Sequence, residues 1–169
     1  MALIREAASS RELDDVRSLM CAFVAWHRER NREDIALVDR YFDQRAFDVE
    51  LAGLPGKYAQ PKGRLLIAYK DGQAAGCVAL RDLGDRICEM KRMFVPSAFR
   101  RSGVGRALAS HVIEGAKEAG YRRMRLDTSK RQDEAIGLYE SAGFRRIRPY
   151  YELSDDVRDW LVFFELALQ

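Results

Sequence analysis

A short basic segment with two glycines contains the first residues whose types and spacing could do chemistry. Glycines beside a helix start let the backbone approach a ligand, and the first N–H groups of a helix have no partner within it. Together with the helix dipole and neighbouring guanidinium groups, they favour bound anions. The sequence therefore predicts a phosphate or pyrophosphate site here. Its residues are Arg100, Arg101, Ser102, Gly103, Val104, Gly105 and Arg106.

Two better-known phosphate motifs fit this segment less well. A nucleotide P-loop requires Lys and then Ser or Thr after its second glycine, whereas Arg106 and Ala107 follow Gly105. A dinucleotide fingerprint requires a third small residue, and that position is Leu108. Asp127 does lie about where the ribose-binding acid of that fold would fall. A dinucleotide site therefore stays open as an alternative.

Two secondary-structure elements must hold the segment in place. Before it, residues 90–95 predict a strand that Pro96 ends, since proline cannot extend a strand ladder. After it, apolar residues recur at nearly helical spacing, which predicts an amphipathic helix. Residues 121–127 predict a second strand, parallel to the first, so that the segment belongs to a β-α-β unit. The apolar residues of the helix are Val104, Leu108, Val112, Ala116 and Ala119.

The remainder of the chain predicts a mixed α/β fold with a central twisted sheet of about seven strands flanked by about four helices. The predicted strands are residues 2–6, 64–70, 73–81, 90–95, 121–127, 144–152 and 160–168. The predicted helices follow Ser9 or Ser10, span about residues 35–51, begin near Val104 and follow a cap formed by Ser129 and Gln132.

The order of these motifs resembles that of the GCN5-related N-acetyltransferases, the GNAT family. The strand EMKRMFV and the Arg-x-x-Gly-x-Gly segment are similar to the family's acetyl-CoA site. Residues 135–144, AIGLYESAGF, resemble its second landmark, and residues 163–168 resemble its last strand. The resemblance runs from about Arg64 to residue 169. It implies a single GNAT domain over residues 1–169 that transfers acetyl from acetyl-CoA directly to a primary amine.

The resemblance also implies roles for individual residues. In the family, the strand before the glycine segment splays from the next parallel strand, and the pantetheine arm of the coenzyme enters the gap. Backbone groups of Met93, Phe94 and Val95 would hold that arm, and an N–H of Met93 or Phe94 would polarise the thioester carbonyl. Tyr139 would donate a proton to the departing thiolate; the alternative is a core aromatic residue.

Glu89 is a candidate general base, at the position where some GNAT members have a glutamate. A carboxylate near its ordinary pKa is a poor base for an ammonium, so burial or a water relay would be required. The alternative is a structural acid paired with Lys91 or Arg92. Gln132 departs from the family, in which many members have Asn. A catalytically idle acyl-CoA-binding or sensing module on the same fold is the alternative function.

Composition limits the other functions. Of the 169 residues, 47% are hydrophobic and 33% charged, and no apolar run is long enough to span a membrane. We therefore expect a cytoplasmic protein without a membrane partner. Cys21, Cys77 and Cys88 predict small buried residues, and with His27 and His111 they show no metal-binding spacing.

The net charge of +3 is unevenly distributed. Residues 97–131 contain nine Lys or Arg against three Asp or Glu, which suits a polyanionic coenzyme. Without interleaved aromatic residues, a nucleic-acid partner is not expected. The amine acceptor cannot be identified from the sequence, and a homodimer is possible. Four tyrosines fall in the segments expected to form the acceptor site: Tyr41, Tyr58, Tyr150 and Tyr151.

Overall fold

The computed structural model describes residues 1–169 and contains seven β-strands and six α-helices. The strands are β1 Leu3–Glu6, β2 Arg64–Lys70, β3 Gln73–Gly84, β4 Ile87–Phe94, β5 Arg123–Ser129, β6 Arg145–Ile147 and β7 Leu161–Ala167. The helices are α1 Ser10–Arg30, α2 Ile35–Tyr41, α3 Gln44–Ala52, α4 Val104–Glu118, α5 Asp133–Ser141 and α6 Asp155–Trp160.

All seven strands form one sheet in the order β1-β2-β3-β4-β5-β7-β6. Every neighbouring pair is antiparallel except β4 and β5, which are parallel and connected through α4. This confirms the predicted mixed α/β sheet and its β-α-β unit.

Helices cover both faces of the sheet, because alternate residues of a strand point to opposite faces. Leu66 and Ala68 of β2 pack in one cluster with α4 and Tyr139. Leu65 and Ile67 of the same strand pack on the other face with α1 and with Phe47 of α3. The four predicted apolar residues of α4 that precede Ala119 are buried, so the predicted inner face of this helix is confirmed: Val104, Leu108, Val112 and Ala116.

Gly76 of β3 allows α4 to pack closely against the sheet. A Cβ atom at this position would lie 2.9 Å from both the Phe94 carbonyl oxygen and Leu108 Cδ1. Beside it, β4 contains a bulge, because Cys77 pairs with Phe94 while Ala79 pairs with Lys91. Arg92 lies in this bulge with a φ of 58°, a left-handed conformation that is uncommon for a non-glycine residue. The start of α4 is thereby set against the end of β4.

The predicted helix over residues 35–51 is two helices. Tyr41 ends α2, and the side chain of Asp43 accepts a hydrogen bond from the Ala46 N–H at 2.8 Å, which caps α3. Phe42, between the two helices, is buried against α6. The helix breaks because Asp43, which caps the start of α3, lies within an apolar pattern that otherwise has helical spacing.

The predicted closing strand pair is shorter than expected. β6 includes only residues 145–147, before Pro149, and α6 occupies residues that precede β7. The segment between β6 and α6 is a loop that contains Tyr150 and Tyr151. None of the six helices combines the length and the apolar character that crossing a membrane requires.

Candidate active site

The two parallel strands at the centre of the sheet separate towards their carboxyl ends. Only three residue pairs join β4 to β5, the last of them Glu89 with Arg125. Beyond that pair, residues 90–95 and 126–129 line opposite sides of a cavity of about 730 Å³. The predicted splay is therefore present. Its lining includes all three residues that the resemblance assigned to the coenzyme arm: Met93, Phe94 and Val95.

The glycine segment closes one end of this cavity. Gly103 has a φ of 85° and immediately precedes α4. None of the backbone N–H groups of residues 101–106 donates a hydrogen bond within the protein, so they form a set of free donors at a helix start. The cavity is lined here by Arg100, Arg101, Gly103, Gly105 and Arg106.

The side chains of two predicted residues of the segment do not line the cavity, although their backbone N–H groups belong to the free set. Val104 is buried in the core. Ser102 is exposed, and its hydroxyl donates to the Phe99 carbonyl. Arg100 lies on the cavity wall, where its Nε donates to the Val95 carbonyl at 3.0 Å and its guanidinium stacks 4.5 Å from the Trp26 ring centroid. Arg101 and Arg106 remain exposed to solvent. The segment therefore combines free N–H groups with one arginine held on the cavity wall and two solvent-exposed arginines.

Tyr139 lies on the α5 side of the cavity. Its ring packs against Phe144 and Phe164, and its hydroxyl makes no hydrogen bond within the protein. Burial, and secondarily the charge of Asp127, raise the pKa of Tyr139 well above its ordinary value. The phenol is therefore protonated at neutral pH and can act as a proton donor.

Glu89 lies outside the cavity, in a second cleft on the other side of the splayed strands. The residue is 1% exposed, and its carboxylate binds Arg81 Nε at 2.7 Å and the Tyr150 hydroxyl. Burial alone would raise the pKa of Glu89, but Lys91, Tyr150 and Arg81 together lower it. Of the two conditions for a role as base, a pKa raised by burial is not met, because Lys91, Tyr150 and Arg81 outweigh burial, and a water relay stays open.

The second cleft also has a volume of about 730 Å³ and meets the cavity at shared wall residues. Tyr41, Lys91 and Arg92 line both spaces. Above them, the hydroxyls of Tyr41 and Tyr151 both donate to Asp127, the latter at 2.7 Å. The tyrosines expected at the acceptor site thus include three at this cleft, since Tyr150 binds Glu89 there. Tyr58 is buried elsewhere, against α3.

The sequence did not predict a network of buried polar side chains at the cavity wall. His27, which ends an apolar face of α1, lines the cavity and is 5% exposed. Its Nδ1 lies 3.2 Å from Asn31 Nδ2 and 3.4 Å from Gln132 Nε2, while Asn31 Oδ1 accepts from the Ser129 hydroxyl. Ser129 and Gln132 therefore serve this network instead of the predicted helix cap.

Burial, and secondarily the charge of Arg92, lower the pKa of His27 to about 4. The imidazole is therefore neutral under ordinary conditions. Cys21 was predicted to be buried and is exposed, whereas Cys77 and Cys88 are buried as predicted. Helical periodicity alone could not place His27, because its burial depends on contacts with Phe42 and Gln132, which are distant in sequence.

Comparison with known proteins decides the family. Residues 19–144 match the family model described as the acetyltransferase (GNAT) family. The chain belongs to this family. The predicted GNAT membership and the enzyme class, an N-acetyltransferase, are thereby confirmed.

Relatives and solved structures agree with this assignment. An uncharacterized N-acetyltransferase of Dictyostelium discoideum is 28% identical, over 88% of this chain and 92% of its own length. Another, of Schizosaccharomyces pombe, is 40% identical over 62% of this chain and 65% of its own length. The fold is shared with a GNAT acetyltransferase of Staphylococcus aureus, with a TM-score of 0.76, 21% identity and 100% coverage of both chains.

A GNAT structure with a bound coenzyme also has this fold. The PaiA N-acetyltransferase of Thermoplasma acidophilum, solved in complex with coenzyme A, covers 99% of this chain and 99% of its own, at a TM-score of 0.72 and 14% identity. Members of the family use acyl-CoA, and the free N–H groups at the start of α4, beside three arginines, suit the phosphates of such a ligand.

Proposed function

We propose that this protein transfers acetyl from acetyl-CoA directly to the primary amine of a small acceptor. The observation that carries the proposal is that the cavity and the cleft share wall residues where β4 splays from β5. The glycine segment closes the cavity on one side, and the tyrosine-lined cleft opens on the other. A donor and an acceptor can therefore meet in one ternary complex.

Residues of the cavity would hold acetyl-CoA. The N–H groups of residues 101–106 and the guanidinium groups of Arg101 and Arg106 bind phosphate, and the Val95 N–H, which has no partner in the protein, is a donor for the arm. The coenzyme supplies an activated thioester. Arg100 is already committed to Val95 and Trp26, so it shapes the wall.

Two residues are proposed to move protons. Tyr139, protonated and facing the cavity, donates to the thiolate that leaves the acyl group. Glu89, in the acceptor cleft, is proposed to accept the amine proton through water, because its lowered pKa disfavours direct abstraction from an ammonium. The cytoplasmic location and a homodimer stay predictions from the sequence.

Thermal unfolding with acetyl-CoA, coenzyme A and NAD tests donor binding. A ligand that binds only the folded protein raises the midpoint, and we expect a rise with both coenzyme A species and none with NAD. Acetyl transfer is then measured with a panel of amines. A shift with NAD alone would contradict the proposal, and coenzyme binding without transfer to any amine would favour the idle module.

Tyr139→Phe tests the proton donor. The variant keeps the ring that packs on Phe144 and Phe164, so we expect unchanged stability and acetyl-CoA binding, with kcat reduced about 100-fold. Tyr121→Phe is the matched control, because it removes a hydroxyl that binds the Lys62 carbonyl outside the cavity. Full turnover of Tyr139→Phe would remove this residue from the mechanism.

A further inference from the structure

Lys91 occupies the junction between the cavity and the cleft. It precedes the bulge residue Arg92 on β4, and its side chain, 16% exposed, lines both spaces. Its ammonium lies 5.5 Å from the Tyr41 ring centroid. An acceptor that approaches the cavity from the cleft would therefore come close to this group.

The ammonium of Lys91 has no hydrogen-bond partner in the protein. Its closest carboxylate oxygen, Glu89 Oε1, is 3.9 Å away and already binds Arg81. A nearly buried charge without a hydrogen bond is costly and calls for an explanation. Burial lowers the pKa of Lys91, while the charges of Asp127 and Glu89 oppose that shift. A bound anion would supply the missing partner.

The other basic residues of the cleft are already paired. Arg81 binds Glu89, Arg92 binds Glu50 through two nitrogens, Arg125 binds Glu165 and Arg40 binds Asp156. Of the five basic side chains that line the cleft, Lys91 is thus the one left for a ligand. Because the four arginines are neutralised by their carboxylate partners, Lys91 is the group of the cleft that an anion would meet.

A charge of the opposite sign lies on the cavity side of the same junction. Both oxygens of Asp127 accept tyrosine hydroxyls, from Tyr41 and Tyr151, which fixes the carboxylate beside the path of the acceptor. Asp127 lines the cavity, where the amine must arrive. The junction therefore presents a cation and an anion to one ligand.

We propose that the acceptor is a zwitterionic amine, whose anionic group, a carboxylate or a phosphate, binds Lys91 while its ammonium approaches Asp127. α-Amino acids are the simplest members of this class. The inference rests on the proposed acetyl transfer and deepens it by naming the acceptor class.

The test compares kcat/KM for amino acids with that for the matching amino-acid amides, which keep the amine and lack the anionic group. O-phosphoethanolamine and ethanolamine form the second matched pair, in which the anionic group is a phosphate. We expect the wild-type protein to prefer the anionic member of at least one pair. For Lys91→Met we expect the ratio of kcat/KM for the anionic amine to kcat/KM for its neutral match to fall about 10- to 100-fold. This is the loss typical of a charge-assisted hydrogen bond.

Lys91→Arg should restore part of this ratio, and Lys117→Met, which removes an exposed lysine of α4, should leave it unchanged. A preference in the amino-acid arm assigns the anion as a carboxylate, and one in the ethanolamine arm assigns it as a phosphate. Equal use of anionic and neutral amines by the wild-type protein would overturn the inference while the proposed transfer stands. Absence of acetyl-CoA binding would instead overturn the proposed function.

Discussion

At the scale of single residues, the chemistry of the site depends on which charged side chains are bound to an oppositely charged partner within the protein. Glu89 and Glu50 are both buried carboxylates bound to arginine, yet only Glu89 faces the cleft where an acceptor would lie. Lys91 differs from both because its ammonium makes no hydrogen bond, its nearest carboxylate oxygen being Glu89 Oε1 at 3.9 Å. Sequence spacing predicted that Glu89 and Lys91 share a face of β4, but the pairing with Arg81 depends on the β3 register.

Glu89→Gln tests the proposed relay. We expect kcat to fall about 100-fold at every pH from 6 to 9, because the amide cannot accept the proton, while acetyl-CoA binding is retained. The free energy of unfolding also falls, since Arg81 loses its buried counter-charge. Asp34→Asn is the control, as it breaks an ion pair with Arg131 in which neither residue lines the cavity or the cleft. Turnover retained at all pH values would leave Glu89 with a structural role alone.

At the scale of secondary-structure elements, the segment proposed to bind the coenzyme is also the segment whose structure the local sequence predicted best. The start of α4 and its apolar face follow from glycine chemistry and periodicity within about fifteen residues. The break at Asp43 and the replacement of a long strand by a loop and α6 were missed. Those features depend on packing between distant segments, since Phe42 is buried against α6.

The glycine at the second position of α4 allows a test at this scale. A Cβ at Gly105 would make ordinary contacts, 3.6 Å from Leu138 Cδ2 and 3.7 Å from Val95 Cγ2, in the cavity wall. Gly105→Ala should therefore raise the free energy of unfolding by about 0.5 kcal/mol, since alanine favours helix. It should also weaken acetyl-CoA binding about tenfold by filling space that the ligand approaches.

Gly137→Ala is the matched control for this experiment. Gly137 is an exposed residue of α5, and a Cβ atom added there would meet no other atom within 4 Å. The substitution should add similar helix stability without a change in binding. Both quantities come from one titration of thermal midpoints with acetyl-CoA. Unweakened binding by Gly105→Ala would show that the ligand does not lie against this turn.

At the scale of the whole molecule, stability should depend on pH through His27. The folded protein keeps this imidazole neutral until about pH 4, whereas the unfolded chain binds a proton near the ordinary value of 6.5. Unfolding is therefore favoured as pH falls from 6.5 towards 4, by about 3 kcal/mol at the lower limit. Above 6.5 the contribution is constant.

Chemical unfolding at a series of pH values measures this effect. His27→Gln, whose carbonyl can accept from the Asn31 and Gln132 amides, should flatten the decline between pH 6.5 and 4 relative to the wild-type protein. His111→Gln should not, because His111 is the other of the two histidines and is exposed on α4. Identical slopes for the wild type and His27→Gln would show that His27 is accessible to protons in the folded state.

Only three residue pairs join β4 to β5, so the sheet consists of two smaller sheets connected by a short ladder of hydrogen bonds. One part has four strands and the other three. A ligand bound in the gap would contact both parts, so the free energy of binding would also stabilise their association. We therefore expect loss of a ligand from the gap to weaken the cohesion between the four-stranded and the three-stranded part.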